Sequence, residues 1–156
     1  LKLLYKMWNL LEDLKFGKIR EKIVVYFLNK NIYIDDPLRL YSNEKKQVDY
    51  RNNEMIGELK SRTCKHDTYS TTFFGYNKIL FLKELNDKRV WKFYFLFTDG
   101  LYVWTYNENQ YEVRDFDHRE RGVIPQVYVD IKYLEKLTSL ITSNSQLPSD
   151  WEDYVN

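Results

Sequence analysis

Apolar residues recur at helical spacing twice near the start of the chain, in Leu3-Leu4-Met7-Trp8-Leu10-Leu11-Leu14 and, after Gly17, in Ile19-Ile23-Val24-Phe27-Leu28. The pattern predicts two helices, or one kinked at Gly17. Asn29-Lys30-Asn31 ends the second, because asparagine tolerates the left-handed cap conformation. Residues 32–45, with Pro37 and many polar side chains, read as a connection with a short strand at Ile32-Tyr33-Ile34. Strands are then expected at Lys46 to Arg51, Met55 to Arg62, Val90 to Thr98 and Leu101 to Tyr106. Asn52-Asn53 and Asp99-Gly100 are hairpin-turn dipeptides, so these strands form two hairpins. Between them Thr72 to Leu85 reads as a helix, with Ile79, Leu80 and Leu82 apolar and Lys78 and Lys83 polar. An acidic, arginine-containing stretch leads to a last strand, Val127-Tyr128-Val129-Asp130-Ile131, and a last helix from Lys132 to Leu140. This order predicts an α/β or α+β fold with a central mixed sheet flanked by helices. No linker divides the 156 residues, so one domain is expected, with its core at about 15–140 and a loop-like tail over 141–156.

Composition narrows the chemistry. Cys64 is the lone cysteine and His66 and His118 the only histidines, which excludes an internal disulfide, a cysteine metal site or a histidine cage. A metal would need oxygen ligands, which points to Mg²⁺ or Mn²⁺. No stretch approaches the run of about 18 apolar residues that a membrane span requires, so a soluble, intracellular protein with no membrane partner is expected. The net charge is +1, but residues 1–98 hold 19 basic against 12 acidic residues and residues 99–156 hold 5 against 11. A near-neutral chain can therefore carry a locally positive face. Fourteen Tyr, nine Phe and four Trp favour strands and offer flat surfaces for bases. Trp91, Phe93, Phe95, Tyr102 and Trp104, alternating on the second hairpin, read as core or cross-strand packing. Arg114, Arg119 and Arg121 lie among Asp115, Asp117 and Glu120 and read as local ion-pair partners.

The charged pair Glu58 and Lys60 interrupts the apolar segment Met55-Ile56-Gly57-Glu58-Leu59-Lys60. A strand sends both side chains to one face, while Met55 and Leu59 enter a core on the other. Burying charge without partners costs several kcal/mol, so this placement suggests metal and phosphate chemistry. A two-residue turn at Asn52-Asn53 would pair Asp49 with Ile56 and put it on the same face, diagonal to Glu58. Asp49, Glu58 and the Leu59 carbonyl could then hold Mg²⁺, and Lys60 could orient or help deprotonate a water and stabilise phosphate charge. Spacing alone does not specify this, since Glu44-Lys45-Lys46 has the same form and reads as a solvated loop.

The helix Gly17-Lys18-Ile19-Arg20-Glu21-Lys22-Ile23-Val24, the strand Val48-Asp49-Tyr50 and the strand Ile56-Gly57-Glu58-Leu59-Lys60-Ser61-Arg62 together resemble the PD-(D/E)xK nuclease superfamily, although no proline precedes Asp49. The following Tyr69-Ser70-Thr71-Thr72-Phe73-Phe74-Gly75-Tyr76-Asn77-Lys78 resembles small phage and giant-virus relatives. The resemblance implies a restriction-endonuclease-like core and a virus-encoded nuclease that hydrolyses DNA with Mg²⁺ or Mn²⁺. It further implies that Glu21 and Lys78 support Asp49, Glu58 and Lys60. Arg62, two residues past Lys60 on the same strand face, is placed to contact a flanking phosphate, and a homodimer is a further expected assembly. The alternatives are a non-catalytic module of the same fold that binds nucleic acid or a protein, and a small homing endonuclease.

Overall fold

The computed structural model describes residues 2–40 and 48–155, apart from the side chains of residues 5, 6 and 8–10. In chain order the elements are α1 (Lys2–Asn31), β1 (Arg39–Leu40), β2 (Tyr50–Arg51), β3 (Met55–Ser61), β4 (Thr71–Gly75), α2 (Asn77–Leu85), β5 (Val90–Phe97), β6 (Gly100–Thr105), β7 (Tyr111–His118), β8 (Gly122–Asp130) and β9 (Glu135–Thr138). Single 3₁₀ turns lie at Ile131–Tyr133 and Trp151–Asp153. The fold is mixed α+β, with a six-stranded sheet ordered β1-β2-β3-β5-β6-β9 and a three-stranded sheet ordered β4-β8-β7. β3 and β5 run parallel and their other neighbours antiparallel, so the large sheet is mixed as expected.

Strand β5, Val-Trp-Lys-Phe-Tyr-Phe-Leu-Phe, is apolar almost throughout because both of its faces are covered. On one face Val24, Val25 and Leu28 of α1 pack with Met55, Leu59, Tyr94 and Leu96. On the other, Ile56, Phe93 and Phe95 pack with Phe74, Val127 and Val129 of the small sheet and Ile79 and Leu82 of α2. The expected packing role of Phe93, Phe95 and Trp104 holds, all three being buried against Phe74.

Several sequence expectations change. α1 is one helix through Gly17, since an interior glycine costs only about 1 kcal/mol against alanine and the packed second half outweighs it. Ile32-Tyr33-Ile34 is no strand: the Ile32 and Tyr33 N–H groups both return to the Leu28 carbonyl and close the helix. Thr71–Gly75 is strand rather than helix, its β-branched and aromatic residues pairing with β8, and α2 begins only at Asn77. The acidic stretch is the hairpin β7–β8, in which Phe116 pairs with Ile124 and Val113 with Val127. Lys132 to Leu140 is a 3₁₀ turn and β9 rather than a helix, because the open edge of β6 recruits it. β2 is described only at Tyr50–Arg51; Glu44-Lys45-Lys46 and the expected start of that strand lie outside the described residues.

Gly57 locks the first hairpin. A Cβ there would lie 2.5 Å from the Tyr50 ring and 2.7 Å from the Met55 methyl, and all three residues are buried. Gly57→Ala is therefore expected to lower unfolding free energy by about 1–3 kcal/mol through overpacking, measured by chemical denaturation; an unchanged midpoint would refute the tight fit.

Candidate active site

The side chain of Asn52 sets the register of the first hairpin. Its Oδ1 accepts the N–H groups of both Glu54 and Met55 at 2.9 Å, which moves the turn centre to Asn53-Glu54. Arg51, rather than Asp49, consequently pairs with Ile56, and Tyr50 pairs with Gly57. This shift of two residues keeps every side chain on its expected face. Asp49 then donates its N–H to the Gly57 carbonyl at 3.0 Å, and its Oδ2 accepts the Leu59 N–H at 2.7 Å. The Asp49 carboxylate thus continues the ladder along β3, and the Leu59 carbonyl projects to the same edge as the Leu59 N–H.

Glu58 is 4% exposed and Asp49 7% exposed. Burial, and after it the charge of Asp49, push the Glu58 carboxyl up from 4.5 to about 7, against the opposing pull of Lys78 and Lys60. Glu58 Oε1 lies 3.2 Å from Lys78 Nζ and 3.6 Å from Lys60 Nζ. Its Oε2 is buried with no hydrogen-bond partner among the described residues, a costly state for a carboxylate oxygen. Lys78 is the second residue of α2, where a cation opposes the helix dipole, so its ion pair with Glu58 offsets an unfavourable position. The crossover from β3 to β5 through α2 is what carries Lys78 over β3.

Glu21 approaches the Lys60 side of β3 from α1. With Leu59, Lys60 and Ser61 it lines a cleft of about 360 Å³. The buried Tyr50 phenol is pushed well above its ordinary value by burial and Tyr94, and then by Asp49, Glu58 and Glu21 together. The structure brings together Asp49, Glu58, the Leu59 backbone, Lys60 and Lys78, whereas Glu21 shares a cleft with Leu59 and Lys60 but does not join Asp49 and Glu58 in one metal-sized group. Arg62 lies at the rim, its backbone N–H on the Leu96 carbonyl and its guanidinium donating to the Phe73 carbonyl and stacked over the Phe73 ring.

Sequence reasoning missed a second wall. Lys60, Arg62 and Lys78 share a cleft of about 620 Å³ with His118, Arg121 and Gln126 of the β7–β8 hairpin. The alternation in Tyr111–His118 and the turn glycine Gly122 were the signals for that hairpin. Arg121 faces this cleft, which its expected role as a local ion-pair partner does not convey.

Among the described residues, the one group of three possible metal ligands lying within 4.8 Å of one another is His66, Asp67 and Asp99. Both Asp99 oxygens already serve His66, one accepting its N–H at 3.0 Å and the other 2.5 Å from its Nδ1. This arrangement clamps the 63–68 loop to the β5–β6 turn.

The raised Glu58 pKa has a definite sign. The folded state holds a proton that the unfolded chain has released, so the metal-free protein loses stability as pH rises from about 4.5 to about 7, by on the order of 3 kcal/mol. Thermal melts in EDTA are expected to show that decline in the wild type and to lose it in Glu58→Gln; parallel pH profiles for the two would contradict the burial of this charge.

No protein-family model and no curated protein matches the chain, so the site's own chemistry carries the functional reading.

Proposed function

We propose that the chain is a metal-dependent nuclease of the PD-(D/E)xK type that hydrolyses phosphodiester bonds of DNA. The observation that carries this reading is the buried Glu58, with an unpartnered oxygen, beside Asp49 on one flank and Lys60 and Lys78 on the other. The donor set fits a hard divalent cation. Two carboxylates and a carbonyl are oxygen ligands, and a cation beside them would relieve both the raised Glu58 pKa and the orphaned Oε2.

Asp49 and Glu58, with the Leu59 carbonyl, would hold Mg²⁺ or Mn²⁺. When bound, the ion supplies charge neutralisation for the scissile phosphate and lowers the pKa of a coordinated water. Lys60, half-exposed at the junction of the two clefts, orients the attacking water and stabilises charge on the phosphate. Lys78 holds the Glu58 carboxylate in place, and Glu21 adds negative charge at the far side of Lys60. The Asp49 hydrogen bond to the Leu59 N–H fixes the carboxylate before any ligand arrives.

A second reading, a non-catalytic module of the same fold, is favoured by one observation: Glu58 Oε1 already has two lysines within 3.6 Å. Cleavage separates the two. Plasmid, linear duplex and single-stranded DNA incubated with the protein in Mg²⁺ or Mn²⁺ are expected to be cut, with loss of at least about a hundredfold in Glu58→Gln and Lys60→Ala. Absence of cutting by the wild type, or cutting that survives both substitutions, would favour the module.

A further inference from the structure

The outer face of the small sheet has a composition that its packing does not require. Phe73 on β4, Tyr128 on β8 and Phe116 on β7 stand on three adjacent strands, their side chains directed away from the core that Phe74, Val127 and Val129 fill. The Phe73 ring centroid lies 5.7 Å from that of Tyr128 and 6.4 Å from that of Phe116, the latter pair within 22° of parallel. Phe73 and Phe116 are each 39% exposed, so the rings offer their surfaces to solvent.

Cations border these rings. Arg62 stacks over Phe73 at 5.0 Å and Arg114 over Tyr128 at 4.4 Å. The cleft that contains Phe73 and Phe116 is lined by Lys60, Arg62, Lys78 and Arg121, and no carboxylate is among its described lining residues. Beyond Tyr128 the face turns mixed in charge, with Arg114 only 3.2 Å from Glu112. The positive, aromatic part is therefore the end next to Glu58.

We propose that this face binds an unpaired nucleic-acid strand, its bases stacking on Phe73 and Phe116 and its phosphates following Arg62 and Arg121 toward Lys60. Duplex bases are already stacked on one another and offer no open π-face to a flat sheet, whereas unpaired bases do. The acidic composition of the C-terminal third does not oppose this, because Asp115 and Asp117 alternate with Phe116 and point to the opposite face of β7. The inference rests on the nuclease reading only in choosing nucleic acid as the ligand, and it names the form that the substrate takes at this site.

Fluorescence anisotropy in EDTA, where no cleavage occurs, tests it with a labelled oligo-thymidine strand and a labelled duplex of equal length. Wild type is expected to bind the single strand more tightly than the duplex. Phe116→Ala is expected to weaken single-strand binding at least about fivefold, Phe116→Trp to retain it, and Arg121→Ala to reduce the salt dependence. Circular dichroism melts matching the wild type would show that the variants fold. Preference for the duplex, binding unaltered in Phe116→Ala and Arg121→Ala, or no binding of either probe would overturn the proposal, the last leaving the face to a protein partner. The two readings fail separately: single-strand binding lost in Phe116→Ala without any cleavage defeats the nuclease reading alone, and cleavage with normal binding by both variants defeats this one alone.

Discussion

Everything around the centre of the large sheet answers to one cost, that of burying the Glu58 carboxylate. A carboxylate at 4% exposure beside a second one has lost its water and gained repulsion, and its pKa rises to about 7 in consequence. The neighbouring elements are arranged to limit that cost. β3 ends where Lys60 can reach back to the glutamate, and α2 starts where Lys78 can reach it from above. The Asp49 carboxylate is held by a backbone N–H rather than left to turn away. Among the described residues one oxygen of Glu58 still has no hydrogen-bond partner. A purely structural ion pair would gain nothing from such an orphan, and replacement by apolar residues is often neutral or stabilising at buried pairs. A bound cation, as proposed above, would supply that partner.

The central strands were readable because burial on both faces writes itself into composition. Val90–Phe97 is short, apolar and rich in aromatic residues, and Met55–Ser61 shows itself by Met55, Ile56 and Leu59 following a turn dipeptide, patterns that few other structures suit. The site followed from period-two reasoning, which survived a misplaced turn: Asn52 moved the register by two residues, and an even shift changes partners without changing faces. Lys78 was found through the family resemblance, as a basic residue at the start of the helix that follows β3 and β4 in the chain.

The misreadings occurred where tertiary partners decide. Thr71–Gly75 and Glu135–Thr138 become strands because β8 and β6 offer open edges, a fact of topology that local spacing does not record. The β7–β8 hairpin was obscured because the apolar positions of β7 change face along the strand, Val113 lying on the core side and Phe116 on the outer side, so no single period-two apolar stripe marks it. That same irregularity produces the aromatic, basic face at the edge of the site. With its omission the sequence reading had the proposed chemistry but not the surface beside it. The described helices include none long and apolar enough to cross a membrane.

Asp49 and Glu58 are proposed to form an oxygen-donor site for a divalent cation. A crystal structure of the protein soaked with Mn²⁺, recorded at the manganese absorption edge, tests it most directly. An anomalous peak is expected between the Asp49 and Glu58 carboxylates, within bonding distance of the Leu59 carbonyl, with Glu58 Oε2 among the ligands. A structure in which manganese gathers at His66 and Asp99, or nowhere, while Lys60 and Lys78 keep their contacts to Glu58, would contradict it.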